Sequence, residues 1–455
     1  MTTAPKPEPH APARTDFARD FVWGCATSSY QIEGAGSEDG RVESIWDRFA
    51  ATPGKVRDGS NGAVACDHYH RWPEDLDLAR DMGMEAYRFS IAWPRIFTGA
   101  GGKPNARGLD FYSRLVDGML ERGLQPWATL YHWDLPQALQ DKGGWNDRAT
   151  VDAYLEFVDA MTKRLGDRVQ HWITHNEPWC TAMIGNFEGL HAPGLTDFGT
   201  ALQVCHHVLL SHGKAVPLIR ANVPNAKVGI SLSLHPVSAA SDSLEDLAAL
   251  ARHDGLRYRW FLDPLYGRGY PKESLALFGD AAPIVMPGDM QAIAVPTDFL
   301  GVNYYFPETV QDAPGHPPLS ARVIESTVDE KTALGWEVAP QGMPELLERI
   351  ERDYHPGDMI ITENGSCYDD VVAADGSIDD VGRRHYLMRH LDALAGAIAR
   401  GVPVKGYFAW SLIDNFEWAE GYLRRFGLVH VDYDTQQRRI KNSGKWYRAF
   451  LRGEQ

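Results

Sequence analysis

Apolar and β-branched residues recur along the chain in short unbroken runs, each followed by a longer stretch in which apolar positions return every three or four residues. Eight runs of the first kind stand out, at residues 21–26, 86–91, 125–131, 171–177, 228–234, 298–305, 359–363 and 404–412. A strand buried on both faces reads as such a run, whereas spacings of three and four mark an amphipathic helix. Between the runs, Tyr112, Leu115, Val116, Met119 and Leu120 share one helical face, as do Val151, Tyr154, Leu155, Val158 and Leu165, and then Leu387, Leu391, Leu394 and Ile398. Eight β/α units in one chain predict the α/β class, as a single (β/α)8 TIM barrel with long βα loops. A doubly wound sheet is the alternative. It would want a glycine-rich phosphate loop after an early strand, and neither G-x-G-x-x-G nor G-x-x-x-x-G-K-[ST] occurs.

No low-complexity linker, charge block or shift in composition interrupts residues 17–455, which are therefore expected to form one barrel domain. Residues 1–16, MTTAPKPEPHAPARTD, carry four prolines and no apolar stretch. They read as a disordered Pro-rich tail rather than a secretory signal. Lys and Arg total 45 against 61 Asp and Glu, a formal net charge of −16 over 455 residues. That balance argues against a nucleic-acid partner, whose binding rests on cations neutralising phosphates, and against an anionic membrane surface. No apolar run approaches the ~18 residues of a spanning helix. The five cysteines are scattered and form no C-x-x-C pair, so a reduced, cytoplasmic protein without a disulfide framework or cysteine zinc site is expected. The sequon at Asn364 is accordingly read as chance.

In a barrel of this kind the chemistry sits at the C-terminal ends of the strands. The runs end in, or lead directly into, Gln31, Arg88, His132, Asn176 with Glu177, Asn303 with Tyr305, Glu363, and Trp410 with Glu417. Carboxylates, amides and indoles with a single arginine suit a neutral polyhydroxylated ligand. Glu177 in ITHNEPWC and Glu363 in IITENGS each close an apolar run against a turn signal. Taken singly, each motif could be only a strand exit. Taken together, two carboxyls at a barrel mouth point to cleavage of a glycosidic bond, in which one protonates the leaving oxygen and the other attacks or stabilises the cationic carbon.

The residues carrying these motifs resemble glycoside hydrolase family 1, the β-glucosidases and β-galactosidases. The resemblance runs through FVWGCATSSYQIEG (21–34), YRFSIAWPRI (87–96), LYHWDLP (130–136), HNEPW, LGVNYY and ITENG to GYFAWSLIDNFEWAEGYLRRFGLVHVDY (406–433), covering roughly residues 17–450 in order. It implies a retaining β-glycosidase that hydrolyses terminal non-reducing β-D-glucosyl residues, with galactosyl or fucosyl residues as further candidates, from β-glucosides and short β-linked oligosaccharides. By this resemblance Glu177 is the acid/base and Glu363 the nucleophile. Gln31, His132, Asn176, Glu417 and Trp418 hold the glycone hydroxyls, Trp410 forms the floor under the sugar, and Trp336 is the platform for the leaving group. Arg88, Asn303 and Tyr305 support the nucleophile. His175 and Cys180 depart from the family pattern beside Glu177. No cofactor or metal is required, and the partner is the small-molecule β-glycoside itself.

Two carboxylates about 5 Å apart at an effective dielectric near 20 repel by roughly 3 kcal/mol, so both do not ionise readily. Arg88 and Tyr305 are expected to keep Glu363 ionised and to leave Glu177 protonated. Three other readings compete. His68-Tyr69-His70 imitates an H-x-H metal pair with His206 and His207 as partners, but leads into a helix beginning near Pro73 instead of ending the first strand. A sugar-binding protein without activity would lack one carboxyl. A phosphoglycosidase would want a cation where Glu417 stands.

Overall fold

The computed structural model describes residues 9–97 and 102–454. Eight parallel strands close into a barrel: β1 (Val22–Ala26), β2 (Ala86–Ser90), β3 (Gln125–Tyr131), β4 (His171–Asn176), β5 (Lys227–Ser233), β6 (Phe299–Asn303), β7 (Asp358–Asn364) and β8 (Val404–Trp410). Their spatial order follows the chain, and β8 returns to pair with β1 from Val22↔Gly406 to Ala26↔Trp410. Each apolar run of the sequence holds one of these strands. Every strand is followed by a helix on the outside: α1 (His68–Asp81), α2 (Ala106–Glu121), α3 (Ala149–Leu165), α4 (Phe198–Asn222), α5 (Leu244–Arg257), α6 (Gly342–Tyr354), α7 (Val381–Ala399) and α8 (Asn442–Arg452).

The strands are buried on both faces, which is why they read as continuous apolar runs. Inward-facing side chains fill the barrel: Trp127 meets Phe299 at 5.4 Å and Phe408 at 5.1 Å between ring centroids. The bulk of Phe408 is accommodated because residue 24 is glycine, where a Cβ would lie 2.5 Å from the ring. Outward-facing residues pack under the helices. The face predicted for α2 is buried at Tyr112, Leu115, Val116 and Met119, but Leu120 is 42 % exposed. Tyr112 to Met119 already cover the contact with the barrel, and Leu120 falls at its edge.

Three register irregularities lie near the strand ends that matter most. They fall between Ile173 and Asn176 on β4, between Ile361 and Glu363 on the β6 side of β7, and between Ile361 and Asn364 on its β8 side. An irregular step in a ladder re-aims the side chains that follow it. The long βα loops build the walls above. A π-helical segment, Cys180–Glu188, follows β4, and a three-stranded sheet of Val237–Ala239, Glu308–Asp312 and Ala321–Ile324 joins the loops after β5 and β6. A hairpin of Val429–Val431 with Arg438–Ile440 follows β8.

The expected disordered tail falls partly on residues 1–8, outside the described residues. The remainder departs from that expectation: Arg14–Asp16 form a turn of 3-10 helix, and the Arg14 guanidinium lies 5.3 Å over the Trp23 ring. The turn closes because the Ala13 N–H donates to Asp16 Oδ2 at 2.8 Å, and it seats the chain against the barrel's N-terminal end. All five cysteines are buried and unpaired. Among the described residues no helix is long and apolar enough to cross a membrane.

Candidate active site

A cavity of about 800 Å³ opens at the C-terminal ends of the strands. Its wall includes Glu177, Glu363, His132, Tyr305, Trp336, Trp410, Glu417 and Trp418, so eight of the residues singled out from the sequence meet in one place. Gln31, Arg88, Asn176 and Asn303 stand immediately behind that wall and bond to it.

Glu363 is the next-to-last residue of β7 and buried. Arg88 Nη1 lies 2.7 Å from its Oε1, and the Tyr305 hydroxyl donates to Oε2 at 2.7 Å. The guanidinium is fully buried and engaged at every nitrogen: Nε donates to Thr129 Oγ1, Nη1 also to the Thr362 carbonyl, and Nη2 to Asn176 Oδ1 at 2.6 Å. Both neighbours favour the ionised carboxylate, as expected. Burial outweighs them, and with the charge of Glu177 added it pushes the Glu363 carboxyl up to about 7. Sequence reasoning underweighted this desolvation, which the closed barrel imposes.

Glu177 follows β4 with φ +47°. Such a left-handed conformation costs a non-glycine residue on the order of 1 kcal/mol and is held by its surroundings. Trp133 (φ +80°) and Trp418 (φ +49°) share it, so three residues of the cavity wall carry backbone strain. Glu177 Oε1 accepts the Asn303 amide at 2.9 Å, and Oε2 accepts the Cys180 thiol at 3.1 Å.

Asn303 therefore corrects one expectation. Read as a support for Glu363, it instead donates to Glu177 and to Asn176 Oδ1, and its own oxygen accepts the Thr362 hydroxyl at 2.6 Å. The reason is geometric: Asn303 ends β6, and the irregular β7 register beside it turns Glu363 toward Arg88 and Tyr305 while Thr362 meets Asn303. A continuous chain of hydrogen bonds results, from Glu363 through Arg88, Asn176 and Asn303 to Glu177.

The other end of the same Asn176 amide, Nδ2, lies 3.0 Å from His132 Nε2. Because Asn176 Oδ1 accepts from Arg88 and Asn303, its amide nitrogen must donate, so His132 Nε2 accepts and Nδ1 carries the proton. That Nδ1 is buried without a protein partner and belongs to a residue of the cavity wall. Burial and Arg88 push the ring's pKa well down, which keeps it neutral. Gln31 differs from His132 in being already spent: its amide nitrogen donates to Asn415 Oδ1 at 3.0 Å and to the Phe416 carbonyl at 2.9 Å, and lies 3.5 Å from Glu417 Oε2. Burial, with the charges of Glu363 and Glu177, pushes the Glu417 carboxyl up to about 8.

The aromatic residues divide by depth. Trp410 is buried, with its ring 5.9 Å from that of His132, and Trp418 packs on Trp133 at 4.5 Å and Trp46 at 4.6 Å. Trp336 is half-buried at the mouth against Phe306 (4.8 Å) and Tyr305 (5.5 Å). The mouth also holds a charged cluster that the motifs did not announce. His253 Nε2 lies 2.8 Å from Glu308, whose other oxygen faces Arg257, and that guanidinium lies 4.4 Å over the Trp179 ring. Trp179 and Glu308 come from the loops after β4 and β6, and His253 and Arg257 from α5, where no strand-end rule applies. Cys180 was visible in the sequence only as a departure from the family pattern, and Thr362 only as an inward-alternating residue of β7.

The histidines that imitate a metal pair are engaged elsewhere. The helix starts at His68, five residues before Pro73; His68 bonds Asp75, and His70 lies between Asp67 and Glu38. His206 lies between Tyr270 and Asp289, and His207 meets the Trp145 carbonyl.

A closed parallel barrel whose strand ends present paired carboxyls, indoles and an unpartnered imidazole donor to one cavity defines the class of (β/α)8 proteins with a polyol-type site. Residues 13–455 match the family described as Glycosyl hydrolase family 1. The chain is 46 % identical over 446 residues to Beta-glucosidase A of Acetivibrio thermocellus, covering 97 % of this chain and 99 % of that protein. It is 43 % identical to the bifunctional beta-D-glucosidase/beta-D-fucosidase of Bifidobacterium breve, over 96 % of this chain and 98 % of the relative. The structure of the family 1 β-glucosidase from Thermotoga maritima superposes with a TM-score of 0.93 at 44 % identity, covering 96 % of this chain and 98 % of that one. The chain belongs to glycosyl hydrolase family 1.

Proposed function

We propose that this chain is a retaining β-glucosidase that removes terminal non-reducing β-D-glucosyl residues from β-glucosides and short β-linked oligosaccharides. One observation carries the assignment of roles: Glu177 and Glu363 face the same cavity, and each is held by a different set of donors. Glu363, paired with Arg88 and Tyr305, is the nucleophile that attacks the anomeric carbon. Glu177, bonded only to uncharged donors, delivers a proton to the leaving oxygen. Forming the glycosyl ester removes the charge of Glu363, after which Glu177 serves as base toward water.

The glycone is held by the His132 Nδ1–H, by Glu417 and by Trp418, over the floor of Trp410. Gln31 and Asn176 set Glu417 and His132 from behind and reach the sugar by exchanging their present partners. Trp336 at the mouth carries the leaving group. Extension to β-D-fucosides, which lack the 6-hydroxyl, is supported by the named activity of the Bifidobacterium breve relative. Where Glu417 is ionised, above its pKa of about 8, its carboxylate on the wall repels a 6-phosphorylated glycone.

The test is stereochemical. NMR of the first-formed sugar from an aryl β-D-glucoside should show β-glucose ahead of mutarotation; initial α-glucose would sink the two-step mechanism.

A further inference from the structure

We propose that Cys180 is a positioning residue for Glu177: its thiol, donating to Oε2 while the Asn303 amide donates to Oε1, fixes the plane of the carboxyl that protonates the leaving group. The inference rests on the acid role given to Glu177 above.

The geometry begins in the backbone. The Glu177 carbonyl accepts the Cys180 N–H at 2.9 Å, so the chain curls back on itself directly after the strained residue. That turn brings Cys180, the first residue of the π-helical segment, beneath the side chain three residues earlier. Sγ then lies 3.1 Å from Oε2. Cys180 is buried, and burial together with the neighbouring Glu177 raises its thiol pKa well above the ordinary value, so it remains an S–H donor.

A glutamate's last torsion is soft, and a carboxyl anchored at one oxygen can still turn about that anchor. Donors on both oxygens remove that freedom. The remaining lone pairs are left for the cavity, which Glu177 lines. Misplacing a reacting group by about 1 Å can cost a hundredfold in rate. The loss should therefore concentrate on substrates that need the proton.

The test uses Cys180→Val, which fills similar space without a donor, Cys180→Ser, which restores one, and Glu177→Ala as the reference. kcat/KM is measured on β-D-glucosides whose leaving groups run from 2,4-dinitrophenol to alkyl alcohols, with cellobiose at the end. Cys180→Val should lose roughly tenfold or more on cellobiose and alkyl glucosides, while staying within about twofold of wild type on the dinitrophenyl substrate. Near-normal turnover of that substrate also shows that the variant is folded. Cys180→Ser should recover most of the loss. An equal loss across the series, wild-type values for Cys180→Val, or a serine variant as poor as valine would overturn the proposal. If Glu177→Ala itself showed no dependence on the leaving group, the acid assignment would fall instead, a distinct result.

Discussion

The Tyr305 hydroxyl donates to Glu363 Oε2 across 2.7 Å, opposite the Arg88 guanidinium on Oε1. Tyr305 cannot share its proton by ionising, because burial and the adjacent carboxyls push its own pKa well up. The bond therefore favours the ionised form of Glu363, whose carboxyl burial otherwise raises to about 7. Tyr305→Phe should let that carboxyl rise further and move the acid limb of the kcat/KM profile to higher pH. A fall in kcat of about tenfold should accompany it, since a hydrogen bond to a charged group is worth about 1.5–3 kcal/mol. An unmoved acid limb would show that Glu363 does not set it.

Glu363→Gly should abolish hydrolysis while leaving the fold intact, because the deletion leaves room beside Arg88. A small anion such as azide should enter that space and restore turnover of an activated aryl glucoside, yielding the α-glycosyl azide. Near wild-type hydrolysis by the glycine variant would remove Glu363 from the mechanism.

His132→Ala removes a donor facing the sugar, away from the bond being cleaved. Its cost in kcat/KM should be on the order of tenfold and similar for every leaving group. A loss confined to poor leaving groups would place His132 in proton delivery. The same aryl and alkyl glucoside series reads both outcomes.

The Glu417 carboxyl is pushed up to about 8 in the folded protein, against a usual value of 4.5. Between those values the folded state holds more protons than the unfolded chain, so stability falls as pH rises through the window. Glu417→Gln removes that penalty. Its melting temperature should exceed wild type at pH 8.5 by about 2 °C, with the difference shrinking toward pH 5. Thermal unfolding at both pH values decides it; an offset independent of pH would mean that packing, rather than ionisation, distinguishes the two proteins.

The sequence by itself determined the barrel and the identity of its reactive ends. Strands buried on both faces leave unbroken apolar runs, and the residues terminating those runs must project at one end of a parallel barrel, so Glu177 and Glu363 could be paired across 186 residues of chain. Tertiary structure alone decided which donor serves which carboxyl. Asn303 and Tyr305 are two residues apart, yet the irregular β7 register sends one to Glu177 and the other to Glu363. The thiol of Cys180 reaches Glu177 only because a left-handed residue folds the chain back beneath it. The rise of the Glu363 and Glu417 carboxyls likewise depends on water being excluded by loops from several parts of the chain. Periodicity is local and survives in one dimension, whereas hydrogen-bond partners and desolvation are properties of closure.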